Sequence, residues 1–563
     1  LIRILLKLEG EIPGEKSLIQ DLRVLAGLFL PGAEVDSFFQ SAAETASIKN
    51  PKVEIVEHIG LTGGRAEIPE IILEVRMDLD NGRLYFGFKG VHGVHNLCGS
   101  NLCGSDPGGF FSVTNGSDPC GHPSKIEMDL TLLRDFLGRN PLKNAVKLGF
   151  YDLMSCYFDV KPAWGILTGI RPVKIVHDLM DTGIMDHEAI KSYLKRHYRV
   201  SDEKIRIALE VAGHEHDILN QDHDRISLYL CIPFCATRCL YCSFPSNPLS
   251  QKGHLVPKYL EALMVEIETI GKHLTEKGRV VDCVYIGGGT PTSLDESQFE
   301  GLLEAIELNL IKPLAPVDGL REYTVEAGRP DTITEKKLRD MSRFGVTRVC
   351  INPQTMSDET LVRIGRSHDA AAITETFKLA RRIGFEVINA DMIVGLPGET
   401  LADVAHTVKA LCELAPENIT VHTLAVKRSS QLNEFRDQYE VGLDEAARQV
   451  DLMYETALAR FTEVGYEPYY LYRQKNMVGN LENVGLTLAD HKCLYNIRMM
   501  GDRHSIIALG AGSVSKLVLM EESVPNGNDG FKVERLANAK GLEDYTDRIA
   551  ALTDAKIEWL TRL

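Results

Sequence analysis

The sequence predicts an α/β protein whose centre is a parallel sheet between residues 225 and 430. Two observations predict it. Six short apolar runs recur there, and five amphipathic segments of helical length separate them. Antiparallel neighbours need only a tight turn, whereas parallel neighbours need a long crossover, so this alternation argues for parallel pairing. Six strands are too few to close an ordinary eight-stranded barrel.

The runs are SLYLCIPF, VDCVYIGG, EYTVEA, RVCINPQ, EVINADMIVGL and NITVHTLAV. The helices between them are expected over Leu255–Leu274, Glu296–Asn309, Thr334–Phe344, Ala370–Ile383 and Leu401–Leu414. Residues 1–220 carry mixed signals and read as an N-terminal α/β accessory domain. EIILEVRMDL (70–79) and RLYFGFKG flank the turn-like Asp80-Asn81-Gly82 and predict a β-hairpin. Residues 90–124 hold eight glycines and the direct repeat NLCGSNLCGS, which predicts a flexible insertion. Helices are expected at Asp129–Gly138, Asn144–Phe158, His187–His197 and Asp202–Leu219. Between the second and third, WGILTGIRPVKI (164–175) reads as a turn-rich, defined loop with Arg171 at its centre. Residues 431–563 form a C-terminal α+β region expected to cover the substrate. It comprises a long helix at Asp444–Val464, the aromatic strand GYEPYYLYRQKN, an apolar strand in SIIALGAGSVSK and a helical end from Gly541.

Composition narrows the function. The net charge of −17 argues against nucleic acid as the main partner, because phosphate binding needs a basic face. No apolar run reaches about 18 residues, so no membrane span is expected. The opening LIRILLKLEG is too short and too interrupted for a signal peptide. Twelve cysteines in such a chain predict reduced thiols and a cytoplasmic location.

The chemistry is written in CATRCLYC, where Cys235, Cys239 and Cys242 form a C-x3-C-x2-C array. Cubane iron–sulfur clusters ordinarily take four thiolates. Three leave one iron open to bind a small molecule. A zinc site would ordinarily add a second Cys/His pair, and none follows. Cys231, four residues upstream, is expected not to ligate, because a fourth thiolate would close the open position.

This spacing resembles the radical S-adenosylmethionine (SAM) superfamily. The longer phrase YLCIPFCATRCLYCSF resembles its oxygen-independent coproporphyrinogen III oxidase branch, and LTGIRP resembles the HemZ-type subgroup. The resemblance implies a (β/α)6 partial TIM-like barrel, a [4Fe–4S] cluster on Cys235, Cys239 and Cys242, and SAM on the open iron. It implies a deoxyadenosyl radical that takes hydrogen from tetrapyrrole propionates, which become vinyl groups in heme biosynthesis. Tyr229, Tyr241, Gly288, Gly289, Thr290 and Glu326 match positions that contact the reactive SAM. Gln354, Arg366, Asp391 and Ala425 match positions lining a wider SAM region, including a second SAM.

The implied partners are a small-molecule tetrapyrrole and an electron donor such as flavodoxin or ferredoxin, and the chain is expected to be monomeric. Arg329, Arg473 and Lys475 are candidates to meet substrate carboxylates. One departure matters: the oxidases continue the triad to a fourth cysteine, and Phe244 stands there. The heme-chaperone branch also has phenylalanine at that position. A heme chaperone, or a heme-degrading methyltransferase on the same scaffold, is therefore the rival reading.

Overall fold

The computed structural model describes residues 20–22, 25 and most of 141–563, apart from 159, 170, 184–185, 245–246, 318, 428–429, 435–443, 475–476, 478–479 and 521–530. Of the remaining N-terminal residues it describes the backbone of five strands.

Those five make one small sheet. Glu70–Asp78 pairs antiparallel with Arg83–His92, with Leu73 opposite Phe88, as the hairpin pattern predicts. Arg3–Glu9 adds in parallel on one side, and Lys125–Asp129 and then Phe111–Val113 add on the other. The Gly-rich stretch is therefore not loop throughout. Its one aromatic and β-branched run, around Phe111–Val113, suits a pleated strand and finds a partner in Lys125–Asp129. The helix expected from Asp129 starts on a residue that ends a strand, and its remainder lies outside the described residues.

Among the described residues the main sheet has eleven strands. Six are the expected runs: β1 (Arg225–Ile232), β2 (Val280–Gly288), β3 (Glu322–Glu326), β4 (Arg348–Cys350), β5 (Val387–Val394) and β6 (Asn418–Thr423), and all neighbours among them are parallel. The crossover helices are α1 (Val256–Glu276), α2 (Glu296–Ile306), α3 (Glu335–Arg343), α4 (Ala370–Ile383) and α5 (Leu401–Leu414). This is the partial barrel of the expected fold class. The last two helices have the bounds read from the sequence, because Asp369 and Thr400 cap their first turns.

Five strands after residue 430 continue this sheet at both edges. β7 (Glu467–Tyr472) and β8 (Asn483–Thr487) extend it antiparallel from β6. β9 (Ile506–Leu509) runs parallel to β1, and β10 (Val514–Met520) and β11 (Phe531–Ala537) follow antiparallel. The two margins of the open barrel are thus both lined by the C-terminal region.

Alternation along each strand sends one set of side chains outward into the helices and the other into the barrel. The inner set is polar: Thr324 and Glu326 on β3, Asn389 and Asp391 on β5, Thr420 and His422 on β6 all line the same interior cavity. The floor is a helix, α6 (Leu494–Gly501). Glu322 on β3 caps it from below, accepting from Leu494 N at 2.9 Å and Tyr495 N at 3.1 Å. Arg348 holds the same carboxylate at 3.4 Å and the carbonyls of His491 and Lys492 at 3.1 Å each. At the wall, Arg498 forms a fork on the fully buried Asp282, at 2.5 and 3.0 Å.

The LTGIRP segment is tied to this floor. Arg171 pairs with Asp502, which ends α6, and Lys516 donates to the α6 carbonyls of Arg498 and Met499. Cations suit a helix C-terminus. Nearby, Trp164 Nε1, Lys204 Nζ and Tyr454 Oη all donate to the buried carboxylate of Glu482, at 2.6–2.8 Å. Among the described residues no helix is long and apolar enough to cross a membrane.

Glu322→Ala leaves Arg348 and two helix N–H groups buried without their carboxylate. We expect a loss of about 3–5 kcal/mol in urea unfolding; a loss under about 1 kcal/mol would contradict this account of the floor.

Candidate functional site

The cavity opens at the C-terminal ends of β1–β6 and has a volume of about 610 Å³, a size suited to a cofactor or small ligand. The cysteine loop leaves β1 at Ile232 and forms one wall, where Cys235, Cys239 and Cys242 all line the cavity. Burial pushes the Cys235 thiol up to about 11, and Cys242 and Cys239 nearby add to the rise, while Thr290 Oγ1 at 3.6 Å acts against it. Crowded thiols of this kind are costly to ionise alone, and a bound metal centre reverses that cost by deprotonating them.

The glycine turn that follows β2 packs on this loop. Gly289 N donates to Ile232 O at 2.9 Å, and Thr290 N to Phe234 O at 2.7 Å. A Cβ on Gly289 would lie 2.5 Å from Phe234 O and 2.9 Å from the Cys235 sulfur. Gly288 has φ +110°, and a Cβ there would lie 2.7 Å from the Cys231 sulfur. Only glycine permits this approach.

Cys231 does not line the cavity. Burial pushes its thiol up to about 12 although the Tyr229 hydroxyl bonds to it. Tyr229 itself sits behind the cavity wall, with its ring 6.1 Å from Tyr285 and 6.0 Å from Tyr495. The other matched positions meet at the cavity: Tyr241, Gly288, Gly289, Thr290, Glu326, Gln354, Arg366, Asp391 and Ala425 all line it.

Glu326 receives the Tyr285 hydroxyl at 2.6 Å. Burial raises its carboxyl to about 7; the Tyr285 bond opposes this and nearby Asp391 adds to it. Asp391 goes the other way. Burial works to raise it, but the His422 imidazole, with Nε2 3.8 Å from Oδ2, and Asn389 Nδ2, 2.9 Å from Oδ1, hold it below the usual carboxylate range. One cavity thus holds two carboxyls whose pKa values are pushed in opposite directions. Arg366 donates to Asn352 O at 2.6 Å and to the Tyr241 hydroxyl at 3.3 Å. Burial opposes its charge, yet Tyr241 and Cys239 beside it raise its pKa. Gln354 adopts φ +67° and pairs with Asp391 and Ile393 through its backbone, which brings its side chain to the cavity.

Two expected substrate contacts are engaged within the protein, although Arg329 also lines the cavity. Arg329 is buried, forms a fork on Asp331 at 2.9 and 3.1 Å, and bonds Thr237 of the cysteine loop at 2.7 Å. It anchors the loop. Arg473 donates to Leu167 O and to Asn480, joining β7 to the LTGIRP segment. Lys475 lies outside the described residues. The sequence reading overlooked Tyr285, His422, Tyr472 and Asn352, all of which line the cavity. His422 was findable, since it continues the inward alternation of Asn418 and Thr420 on β6.

Residues 229–411 match the model of the radical SAM superfamily. The chain is 38% identical over 425 residues to the oxygen-independent coproporphyrinogen-III oxidase-like protein HemZ of Bacillus subtilis, covering 75% of this chain and 82% of that protein. The chain belongs to the HemZ family of radical SAM proteins. It is also 34% identical over 244 residues to the heme chaperone HemW of Bacillus subtilis, covering 43% of this chain and 62% of that one. Among solved structures, the radical SAM coproporphyrinogen III oxidase HemN of Escherichia coli aligns at a TM-score of 0.45 and 22% identity, over 60% of this chain and 72% of that one.

The superfamily's cofactors are a [4Fe–4S] cluster and SAM, and the cavity fits them. Three thiols share one wall, a glycine turn lies beside them, and the buried Asn352 Oδ1, Gln354 Oε1 and Thr324 Oγ1 have no partner among the described residues.

Glu326 holds its proton more tightly in the folded than in the unfolded chain, so stability falls as pH rises from about 4.5 to about 7. Glu326→Gln should flatten that part of the pH–stability curve in urea titrations. An unchanged slope would show that Glu326 titrates normally.

Proposed function

We propose that the chain is an oxygen-independent coproporphyrinogen III oxidase-like enzyme that decarboxylates tetrapyrrole propionates to vinyl groups. The observation that carries this reading is the thiol triad on the wall of a polar cavity, in a chain that matches HemZ across most of both lengths. Cys235, Cys239 and Cys242 would hold the cluster. Gly288, Gly289 and Thr290 would present backbone and hydroxyl groups to SAM, with Glu326 and Tyr241 around them and Tyr229 stacked behind, on Tyr285. Gln354, Arg366, Asp391 and Ala425 would line the adjoining region, where a second SAM could sit.

When bound, the cluster and SAM supply a carbon radical able to take hydrogen. The protein's part is to bind, to aim and to exclude water. Each propionate gives up one hydrogen atom from its β-carbon, then carbon dioxide and one electron, and a vinyl group remains. Glu326 would keep a proton at the cavity wall near neutral pH, and ionised Asp391 would attract cationic groups of the cofactor. A flavodoxin- or ferredoxin-class protein would supply the electron that starts the cycle.

A second reading, heme chaperone, is favoured by Phe244 in place of a fourth cysteine and by the match to HemW. The two separate in one anaerobic experiment with reconstituted protein, SAM, reductant and coproporphyrinogen III. Mass spectrometry should show loss of two carbon dioxides and four hydrogens, and Cys239→Ala should abolish both this loss and SAM cleavage. Unchanged tetrapyrrole, with a stable Soret band when heme is added, would overturn the oxidase in favour of the chaperone.

A further inference from the structure

Three tyrosines form a closed pile behind the glycine turn. The Tyr285 and Tyr495 rings lie 4.3 Å apart at 23°, and Tyr229 stacks on both at about 6 Å. They come from distant parts of the chain: β1, β2 and the floor helix α6. Of the three only Tyr285 lines the cavity, and this residue is 9% exposed. Its hydroxyl donates to Glu326, whose other oxygen would lie 2.8 Å from a Cβ on Gly287. Tyr229, at the far side of the pile, bonds the Cys231 thiol behind the cysteine loop. Packing alone would be served as well by phenylalanine. A phenol recessed in the wall of a radical-bearing cavity, bonded to a carboxyl and stacked on two further phenols, has a chemical use.

We propose that Tyr285 is a hydrogen-atom donor that quenches a carbon radical formed in the cavity when no substrate C–H bond stands in the way, with Glu326 as its proton partner and the Tyr495 and Tyr229 rings packed beside the resulting phenoxyl. This rests on the radical chemistry of the preceding reading but not on its tetrapyrrole. A phenolic O–H bond is weaker than an alkyl C–H bond, so the transfer runs downhill. The O–H bond of Tyr285 breaks and a C–H bond forms; the carbon radical is reduced by one electron and the phenol is oxidised to a phenoxyl. Resetting requires one electron and one proton. The electron comes from the low-potential reductant that also starts the cycle, and the proton comes from Glu326, which lies within proton-transfer reach at 2.6 Å. The recessed ring explains why productive turnover survives: a bound substrate presents its C–H bond in the open cavity, while the phenol sits behind the wall surface.

The test omits tetrapyrrole. Reconstituted protein in D2O is given SAM and dithionite, and the 5′-deoxyadenosine is analysed by mass spectrometry. The phenolic hydrogen exchanges with solvent, so the wild type should place one deuterium in the product, and Tyr285→Phe should bring that incorporation to background while cluster absorbance is unchanged. Freeze-quenched samples of the wild type should show a phenoxyl electron paramagnetic resonance signal that narrows when the protein carries ring-deuterated tyrosine, a readout that needs no variant. Deuterium-free product from the wild type, or equal incorporation in Tyr285→Phe, overturns the proposal and leaves the tetrapyrrole reading standing. Absence of 5′-deoxyadenosine altogether overturns the proposal together with the radical chemistry.

Discussion

Two backbone hydrogen bonds, Gly289 N to Ile232 O and Thr290 N to Phe234 O, join the end of β2 to the start of the cysteine loop. The rest of the site depends on them. They hold the glycine turn against the Cys235 sulfur at a distance no side chain would allow. The thiol triad is thereby held at the wall of the cavity, next to a glycine turn that lines the same cavity. Arg329 secures the loop from another direction, bridging Asp331 and Thr237, and His368 shares Asp331 at 3.0 Å. A loop that carries reactive thiols is thus fixed by buried charge and backbone pairing, including the short parallel pairing of Phe234–Cys235 with Asn247–Pro248 across the loop.

The cavity is closed below by charge as well. α6 has a carboxylate at its N-terminus, Glu322, and cations at its C-terminus, Arg171 and Lys516, which is the arrangement a helix dipole favours. Its residues Asn496, Met499 and Met500 line the cavity. Among the described residues the N-terminal region packs on the floor helix and on β7 through the helix Asp202–Leu219, and adds the Arg171–Asp502, Trp164–Glu482 and Arg473–Leu167 contacts. Both chemical faces of the interior follow from strand alternation. One side sets Glu326 against Tyr285, the other sets Asp391 against His422 and Asn389, and the two carboxyls are pushed apart because burial prevails at Glu326 while these partners prevail at Asp391.

Local structure was largely legible in the sequence, since it depends on neighbours along the chain. Apolar runs gave the six parallel strands, and caps such as Asp369 and Thr400 gave helix bounds. The candidate site was legible where glycine or cysteine spacing carries the meaning. Long-range pairing was not. Nothing local in β9 says that it lies beside β1, or that β7 and β8 occupy the opposite margin. Arginines misled for the same reason. Arg329 has its carboxylate two residues away and Arg473 is used by carbonyls of Leu167 and Asn480, so neither is the free fork that its sequence position suggested. The strand at Phe111–Val113 was hidden by the glycines around it.

In the proposed function three thiolates, and not Cys231, hold a cluster with one iron left open. That arrangement is tested most directly by counting iron in anaerobically reconstituted wild type and Cys231→Ser, and by recording the electron paramagnetic resonance spectrum of each reduced protein before and after SAM is added. The account predicts the same full cluster in both and a SAM-dependent change in both spectra. Loss of iron in Cys231→Ser, or a wild-type spectrum indifferent to SAM, would contradict it.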